Sequence, residues 1–445
     1  MEKTAALFPG GRPLIGVLPD LQKNPLHVME RAVLHHGAFT RLPLPTLEAY
    51  VLGTPRLAEH VLVTNVKNYV KQTRGYDMLR IALGNGLVTS EGSFWKRQRR
   101  IAQPAFHRER LAGFGEVMTR AASEMVDAWE PGAQFDFAHE MMRCTLRIVG
   151  ETLLSSDVTS DADGVGVALT VALEHLIRRT LYPLAPPEWV PTSENRSFKK
   201  AMAQLDAVVL GVIAERRNGG VPKHDLLAML MESRDPETGE GMTDEQLRDE
   251  VMTIFLAGHE TTANVLSWAM VLLGTHPEVE GKLLEEARSV LQGRAPTMAD
   301  VGRLPYSLHV IKEAMRLYPP VWTLGRTVVE DEVVDGWLLK KGALVFVSPW
   351  ALHRHPDYWD APLEFRPERW TVDDPRRAHG TYLPFSMGQR KCIGDSFAMV
   401  EAQLVLITIL QRMKVTLSAD QTFEPEPLIT LRPKNGVLVT VGSRG

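Results

Sequence analysis

The sequence predicts a mainly helical chain with a smaller β-rich portion, and three observations carry that reading. Residues 243–273 form one uninterrupted stretch with apolar side chains nearly all round a helical period. Shorter stretches at helical spacing recur through residues 26–36, 111–153, 165–179 and 195–217. Strand-like segments are short and confined to residues 39–52, 328–347 and 428–441.

With 445 residues and 44% hydrophobic side chains, the chain can bury a large core. A formal charge of −4 gives no basic surplus, so nucleic acid is not an expected partner. Two cysteines exclude a disulfide framework and fit a reducing compartment. Pro9, Gly10 and Gly11 interrupt the amino-terminal stretch too early for a signal core or a membrane anchor. No apolar run elsewhere reaches ~18 residues. The expectation is a soluble, cytoplasmic, monomeric protein.

Taken in order, residues 9–25 are a proline-punctuated lead-in and residues 26–36 a short helix. Residues 39–44 and 49–52 pair as strands, with Pro43 and Pro45 in the turn region. Residues 56–64 read as helical. Gly75, Gly84 and Gly86 make residues 69–87 a loop candidate. Ser90 to Trp95 then open a basic helix on which Trp95 and Arg99 share a face. Arg97, Arg99, Arg100, Arg108 and Arg110 make this the most basic stretch. Such a run is ordinarily a solvated face, and it also suits an acidic partner. Cys144 falls inside a helical stretch and reads as a core thiol. Residues 182–191, with Trp189, read as a packed proline-rich loop or as a tip touching a membrane, a contact no more than transient. Residues 235–241 read as a surface loop.

Thr243 and Gln246 form a capping box at the start of the long helix, and Asp244 and Glu245 suit its positive end. Gly274 and Pro277 close it. Some 30 residues at 1.5 Å each span about 45 Å. Within it stands Ala257-Gly258-His259-Glu260-Thr261-Thr262. Charge and hydroxyls inside a buried helix are costly without partners, and glycine weakens a helix. A local rule broken there marks a functional site. The blander alternative is a glycine where another helix crosses, with both threonines bonded to backbone. His259 reads as structural.

Residues 310–317 form a helix ended by Pro319 and Pro320, with Glu313 and Arg316 on one face. Residues 328–334, 337–339 and 343–347 read as strands of a small sheet. His353 belongs to a turn, placed either on the surface or against a cofactor. Residues 428–431 and 437–441 flank Asn435-Gly436, a strong hairpin signal.

One loop organises the whole: Pro384-Phe385-Ser386-Met387-Gly388-Gln389-Arg390-Lys391-Cys392-Ile393-Gly394. Gly388 and Gly394 let the backbone turn sharply and lie close to a flat ligand. Residues 397–410 continue at helical spacing, so a helix begins just past the cysteine and favours its thiolate. Arg390 can pair with a carboxylate. A lone cysteine is more often an inert buried thiol, or a nucleophile beside His353, His355 or His379.

The pattern Phe385, Gly388, Arg390, Cys392, Gly394 resembles the haem loop of the cytochrome P450 family. Four further signatures follow in family order. They are Trp95 with Arg99, Ala257 to Thr262, Glu313 with Arg316, and Phe365 to Arg369. The resemblance covers nearly the whole chain. It implies one haem domain over residues 1–445, with no fused reductase, in the family's triangular-prism fold. A long central helix would lie over the haem, beside a smaller β-rich lobe.

The resemblance further implies haem b with Cys392 as iron ligand and a monooxygenase reaction at a C–H bond. Glu260 and Thr261 match the residues that relay protons, and Ala257 and Gly258 those that leave room above the iron. Trp95, Arg99, Arg326 and Arg390 match partners of the haem carboxylates. Glu313, Arg316 and Arg369 match a buried scaffold. Electrons would come from a separate ferredoxin or flavodoxin and its reductase, with NAD(P)H acting only through them. Arg97, Arg100, Lys391 and Arg412 would form the docking face. Ile254 and Phe255, then Val321, Trp322 and Leu324, then Ile429 and Thr430 are the candidate lining for a lipophilic substrate. Fatty acid, terpenoid, steroid and carotenoid all stay open. A peroxide-driven enzyme and a non-catalytic haem sensor are the alternatives.

Overall fold

The computed structural model describes residue 3 and residues 5–106, 113–155, 162–182, 185–219, 225–377 and 379–444. Arg108 and Arg110 lie outside them. The chain divides into two compact units, Met1–Tyr76 with Lys312–Cys392, and Asp77–Ile311 with Ile393–Gly445.

The first unit is built on a six-stranded sheet. Its strand order is Ala6–Leu7, Phe39–Pro43, Glu48–Leu52, Leu344–Val347, Leu324–Val328 and Tyr69–Val70. The expected pair at residues 39–52 is antiparallel, with Phe39 opposite Leu52. The segments expected to make a small sheet divide instead. Leu344–Val347 joins the large sheet, where it pairs with Leu324–Val328, while Glu332–Val334 and Trp337–Leu339 form a separate hairpin. Phe39, Leu42, Val51, Leu52, Val345 and Val347 supply the core, with Val28, Ala32 and Val33 from the helix Pro25–His36.

The second unit is helical. The long helix runs Asp244–Thr275, and Thr243 and Gln246 make both capping-box bonds, at 3.2 and 3.0 Å. Phe137–Leu154 packs along it: the Thr145 hydroxyl donates to the His259 carbonyl at 3.0 Å. Ala162–Leu181, Ser193–Arg217 and Asp395–Arg412 complete the main frame. The stretch expected as helix over 111–153 is two helices, Phe114–Asp127 and Phe137–Leu154. Pro131 and Gly132 break the run between them, and Gln134–Asp136 forms a short strand.

Two expectations fail for identifiable reasons. Residues 69–87 contain the helix Arg74–Leu83, because Gly75 sits in its first turn, where a glycine does little harm. The Asn435-Gly436 hairpin does not form between its flanking strands. Leu431–Pro433 pairs back with Pro425–Pro427, and Leu438–Ser443 pairs with Met413–Leu417 and Gln134–Asp136. Asp136 fixes that turn: its carboxylate accepts from Val437 N–H at 2.7 Å, and a Cβ on Gly436 would lie 2.2 Å from it. No described helix is long and apolar enough to cross a membrane.

Candidate active site

In the first unit the residues before Cys392 form a tight loop. Cys392 N–H donates to the Phe385 carbonyl at 3.0 Å, and Lys391 N–H to Gly388 at 3.1 Å. Gly388 has φ +68°, and a Cβ there would fall 2.3 Å from the Leu62 carbonyl oxygen. No other residue fits. Ser386 also takes a left-handed φ of 60°. Leu383 and Met387 anchor the loop in the core, Phe385 and Arg390 are half-buried, and the Cys392 thiol is left exposed.

Beneath the loop is a buried brace. Glu313 accepts from Arg316 at 2.9 and 3.0 Å, Arg369 at 2.7 Å, Trp370 Nε1 at 3.0 Å and Arg366 N–H at 3.1 Å. Arg316 also donates to the carbonyls of His353, Pro362 and Glu364 at 2.8, 2.6 and 3.0 Å. A carboxylate so supplied with donors needs no water.

His353, left between surface and cofactor by the sequence, does neither. It is wholly buried, and burial lowers its pKa to about 3, so the ring is neutral. Its Nε2 accepts from Leu383 N–H at 2.8 Å, so Nδ1 carries the proton and faces the Arg316 carbonyl at 3.3 Å. The imidazole therefore links the brace to the start of the sulfur loop. No local pattern signals this role.

Arg326, on the strand Leu324–Val328, is 2% exposed and makes no ion pair among the described residues; it donates to its neighbour Gly325 at 2.8 Å. A buried guanidinium in that position calls for an anionic ligand. Val321 and Trp322 are partly exposed. Leu324 was expected to line the substrate pocket, but it is packed in the sheet core.

In the second unit, the long helix carries a gap. From Asp249 to Leu273 every residue is buried except Ile254, Ala257, Gly258 and Thr261. Their spacing sets them on one stripe, and at its centre only hydrogen or methyl projects. The crossing helix is present as well: a Cβ on Gly258 would meet Val149 at 3.0 Å. The Thr261 hydroxyl donates to the Ala257 carbonyl at 2.7 Å, and that of Thr262 lies 3.4 Å from the Gly258 carbonyl.

Glu260 turns off the stripe and is buried. Asn264 donates to the Thr430 hydroxyl at 2.9 Å, and that hydroxyl bonds the Glu260 carboxyl. Burial raises the Glu260 pKa against the opposing pull of Thr430 and Arg432, which favours the protonated acid. A second buried acid, Glu401 on Asp395–Arg412, is raised to about 8 by desolvation, against a weaker opposing influence of the Thr262 hydroxyl. The sequence reading missed it, because an acid in an apolar helix shows its burial only in three dimensions. His259 is buried and neutral, lowered to about 4 by desolvation, with Nδ1 on the Phe255 carbonyl at 3.0 Å.

Phe255 and Thr430 were also expected to line the pocket. Phe255 is buried in the helical core, off the open stripe. Thr430 is engaged by Asn264 and Glu260. Ile429 stays partly exposed. Trp95 is buried on the basic helix Gly92–Ala102, and Arg99 is half-buried. Arg97 and Arg100, expected to face a partner, instead hold the loop at 235–241. Arg100 binds the buried Asp235 at 3.0 Å and Glu237 at 2.8 Å, and Arg97 binds Glu240 at 3.2 Å. Arg412 is paired with Asp127. The desolvated Asp235 takes up the charge the helix would otherwise present.

These features can be set against haem. No group of three or more His, Cys, Asp or Glu among the described residues could hold a metal ion. The donors available are one exposed thiol, Cys392, and the buried cation Arg326. They fit a flat ring that brings its own iron, needs a single protein ligand and carries carboxylates.

The family profile described as Cytochrome P450 matches residues 8–440. Cyclooctatin synthase of Streptomyces melanosporofaciens is 36% identical over 437 residues, covering 98% of this chain and 93% of the relative. Cyclooctat-9-en-7-ol 5-monooxygenase of the same organism is 35% identical over 414 residues, or 93% and 90% of the two chains. Pentalenene oxygenase of Streptomyces avermitilis is 34% identical over 429 residues, or 96% and 95%. A match over nearly the full chain, on a helical fold with a smaller sheet-bearing part, shows that this protein belongs to the cytochrome P450 family of haem monooxygenases.

Proposed function

We propose that the protein inserts one oxygen atom of dioxygen into a C–H bond of a terpenoid. Two relatives are named for oxygenating cyclooctat-9-en-7-ol and pentalenene. The apolar stripe of Ile254, Ala257 and Gly258 suits a guest of that kind. The haem, when bound, supplies dioxygen activation. Cys392 is its iron ligand, and Arg326, Arg390, Trp95 and Arg99 hold its carboxylates. Glu313, Arg316 and Arg369 keep the loop in shape. The protein works as a single cytoplasmic haem domain and a monomer. It is fed by a ferredoxin or flavodoxin and a reductase that draws on NAD(P)H.

The observation that carries the reading is the pairing of an open hydroxyl with a buried acid. Thr261 presents its side chain on the accessible stripe, and the adjacent Glu260 lies off it, where burial pushes its pKa upward. A proton can leave Glu260, reach the stripe through Thr261 and be replaced through Thr430. The test is Thr261→Ala with surrogate redox partners and a terpene that the wild type turns over. Product per NAD(P)H consumed should drop several-fold while peroxide rises. Unchanged coupling would refute the assignment.

A further inference from the structure

The first unit carries an apolar knob made of residues that the site does not use. Leu14 is 93% exposed, Leu7 61%, Leu47 49% and Ile15 43%. Arg12 and Gly16 exchange backbone hydrogen bonds at 3.0 and 2.8 Å, which pinches Pro13, Leu14 and Ile15 into a tip. The tip is seated on one strand end: Val17 N–H donates to the Pro43 carbonyl at 2.8 Å. Leu7 lies beside Arg41 in the parallel ladder, and Leu47 precedes Glu48, the partner of Pro43. The four side chains therefore cluster about the end of Phe39–Pro43.

Leu14 is unfavourable twice over. Its φ of 69° is a left-handed conformation that leucine avoids, and its side chain buries almost nothing in the fold. Arg12 and Arg41 are exposed at the rim and form no ion pair among the described residues. The neighbouring acid, Glu48, is paired with Lys340 at 3.6 Å. A convex tip of leucine and isoleucine between two exposed cations needs no matching pocket in a partner. A fluid layer with an anionic surface meets both of its demands.

We propose that this knob seats the protein reversibly on an anionic membrane surface. Leu14 and Ile15 enter the boundary between headgroups and acyl chains, and Arg12 and Arg41 meet the lipid phosphates. No spanning helix is required. The contact is weak and salt-sensitive, because two inserted side chains and two charges fall short of a permanent anchor.

The test is flotation of the purified holoprotein with vesicles. One set is phosphatidylcholine alone, and the other has roughly 30% phosphatidylglycerol. The floated fraction should be at least about fivefold higher with the anionic vesicles, and should fall when the salt is raised. Leu14→Ser with Ile15→Ser should reduce it to background, and Arg12→Gln with Arg41→Gln should at least halve it. Leu14→Gly separates binding from folding: it relieves the backbone, so flotation falls while the melting temperature holds or rises. The proposal is overturned if the wild type floats with neither vesicle, or if these variants float as it does. It is also overturned if Leu14→Ser instead dissolves a dimer seen by size exclusion, which would make the knob a protein contact.

Discussion

Arg316 grips Glu313 with two parallel hydrogen bonds, Nη2 to Oε1 and Nε to Oε2, while both side chains are fully shielded from solvent. Three residues apart on one helix, they would be worth little at a surface. Here Arg369 and Trp370 close the other sides of the carboxylate. Removing one member strands the rest without compensation. Glu313→Ala should lose about 3–5 kcal/mol of stability in urea unfolding and yield little haem-loaded protein. A loss under about 1 kcal/mol would show that the brace is dispensable.

Ser386 sits in the left-handed region within the sulfur loop, and its buried hydroxyl has no hydrogen-bond partner among the described residues. Ser386→Gly should relieve the backbone by more than the entropy glycine adds to the unfolded chain. A net gain of about 0.5–1 kcal/mol is expected, with the reduced carbon monoxide spectrum unchanged. Differential scanning calorimetry checks it, and a lower melting temperature would contradict it.

His259 and His353 are held neutral, at about 4 and about 3 against 6.5 for an ordinary histidine. Below pH 6.5 the unfolded chain takes up protons that the folded chain refuses. The stability these rings contribute is present above 6.5 and is lost as pH falls towards their folded values. Over pH 7 to 4.5, His259→Asn should gain stability relative to the wild type as the pH falls, read as the difference between their melting temperatures. A difference that does not change with pH would exclude His259 as a contributor.

Glu401 and Glu250 have the opposite sign. Both are raised to about 8 from 4.5 by burial. They stay protonated in the folded chain while the unfolded chain ionises. Their contribution is complete below 4.5 and disappears as pH rises through 8. Glu401→Gln, neutral at every pH, should lose less stability than the wild type between pH 5.5 and 8.5. Identical profiles would mean that Glu401 is hydrated and ordinary.

The fold was legible where local pattern and burial agree. Thr243 and Gln246 announce the start of the long helix, and Asp395–Arg412 follows from its apolar run. The candidate site was legible as motif but not as environment. Arg97 and Arg100 look like a free basic face because their partner, Asp235, lies far along the chain. His353 looks like a turn residue because what buries it is the brace around Arg316. Phe255 and Ile254 are adjacent letters, and only the rotation of the helix sends one to the core and the other to the open stripe. Asn435-Gly436 does turn the chain, yet the two arms belong to different sheets, a choice made by Asp136.

The two cysteine thiols of the chain differ in access. Cys144 is buried, and desolvation drives its thiol strongly towards the protonated form, whereas Cys392 is exposed. An alkylating reagent under native conditions should therefore modify one cysteine per molecule, and mass spectrometry would find it at Cys392. Iron ligation would block that adduct. The labelled fraction of a preparation thus counts the molecules lacking cofactor, a direct correction for every turnover number measured on it.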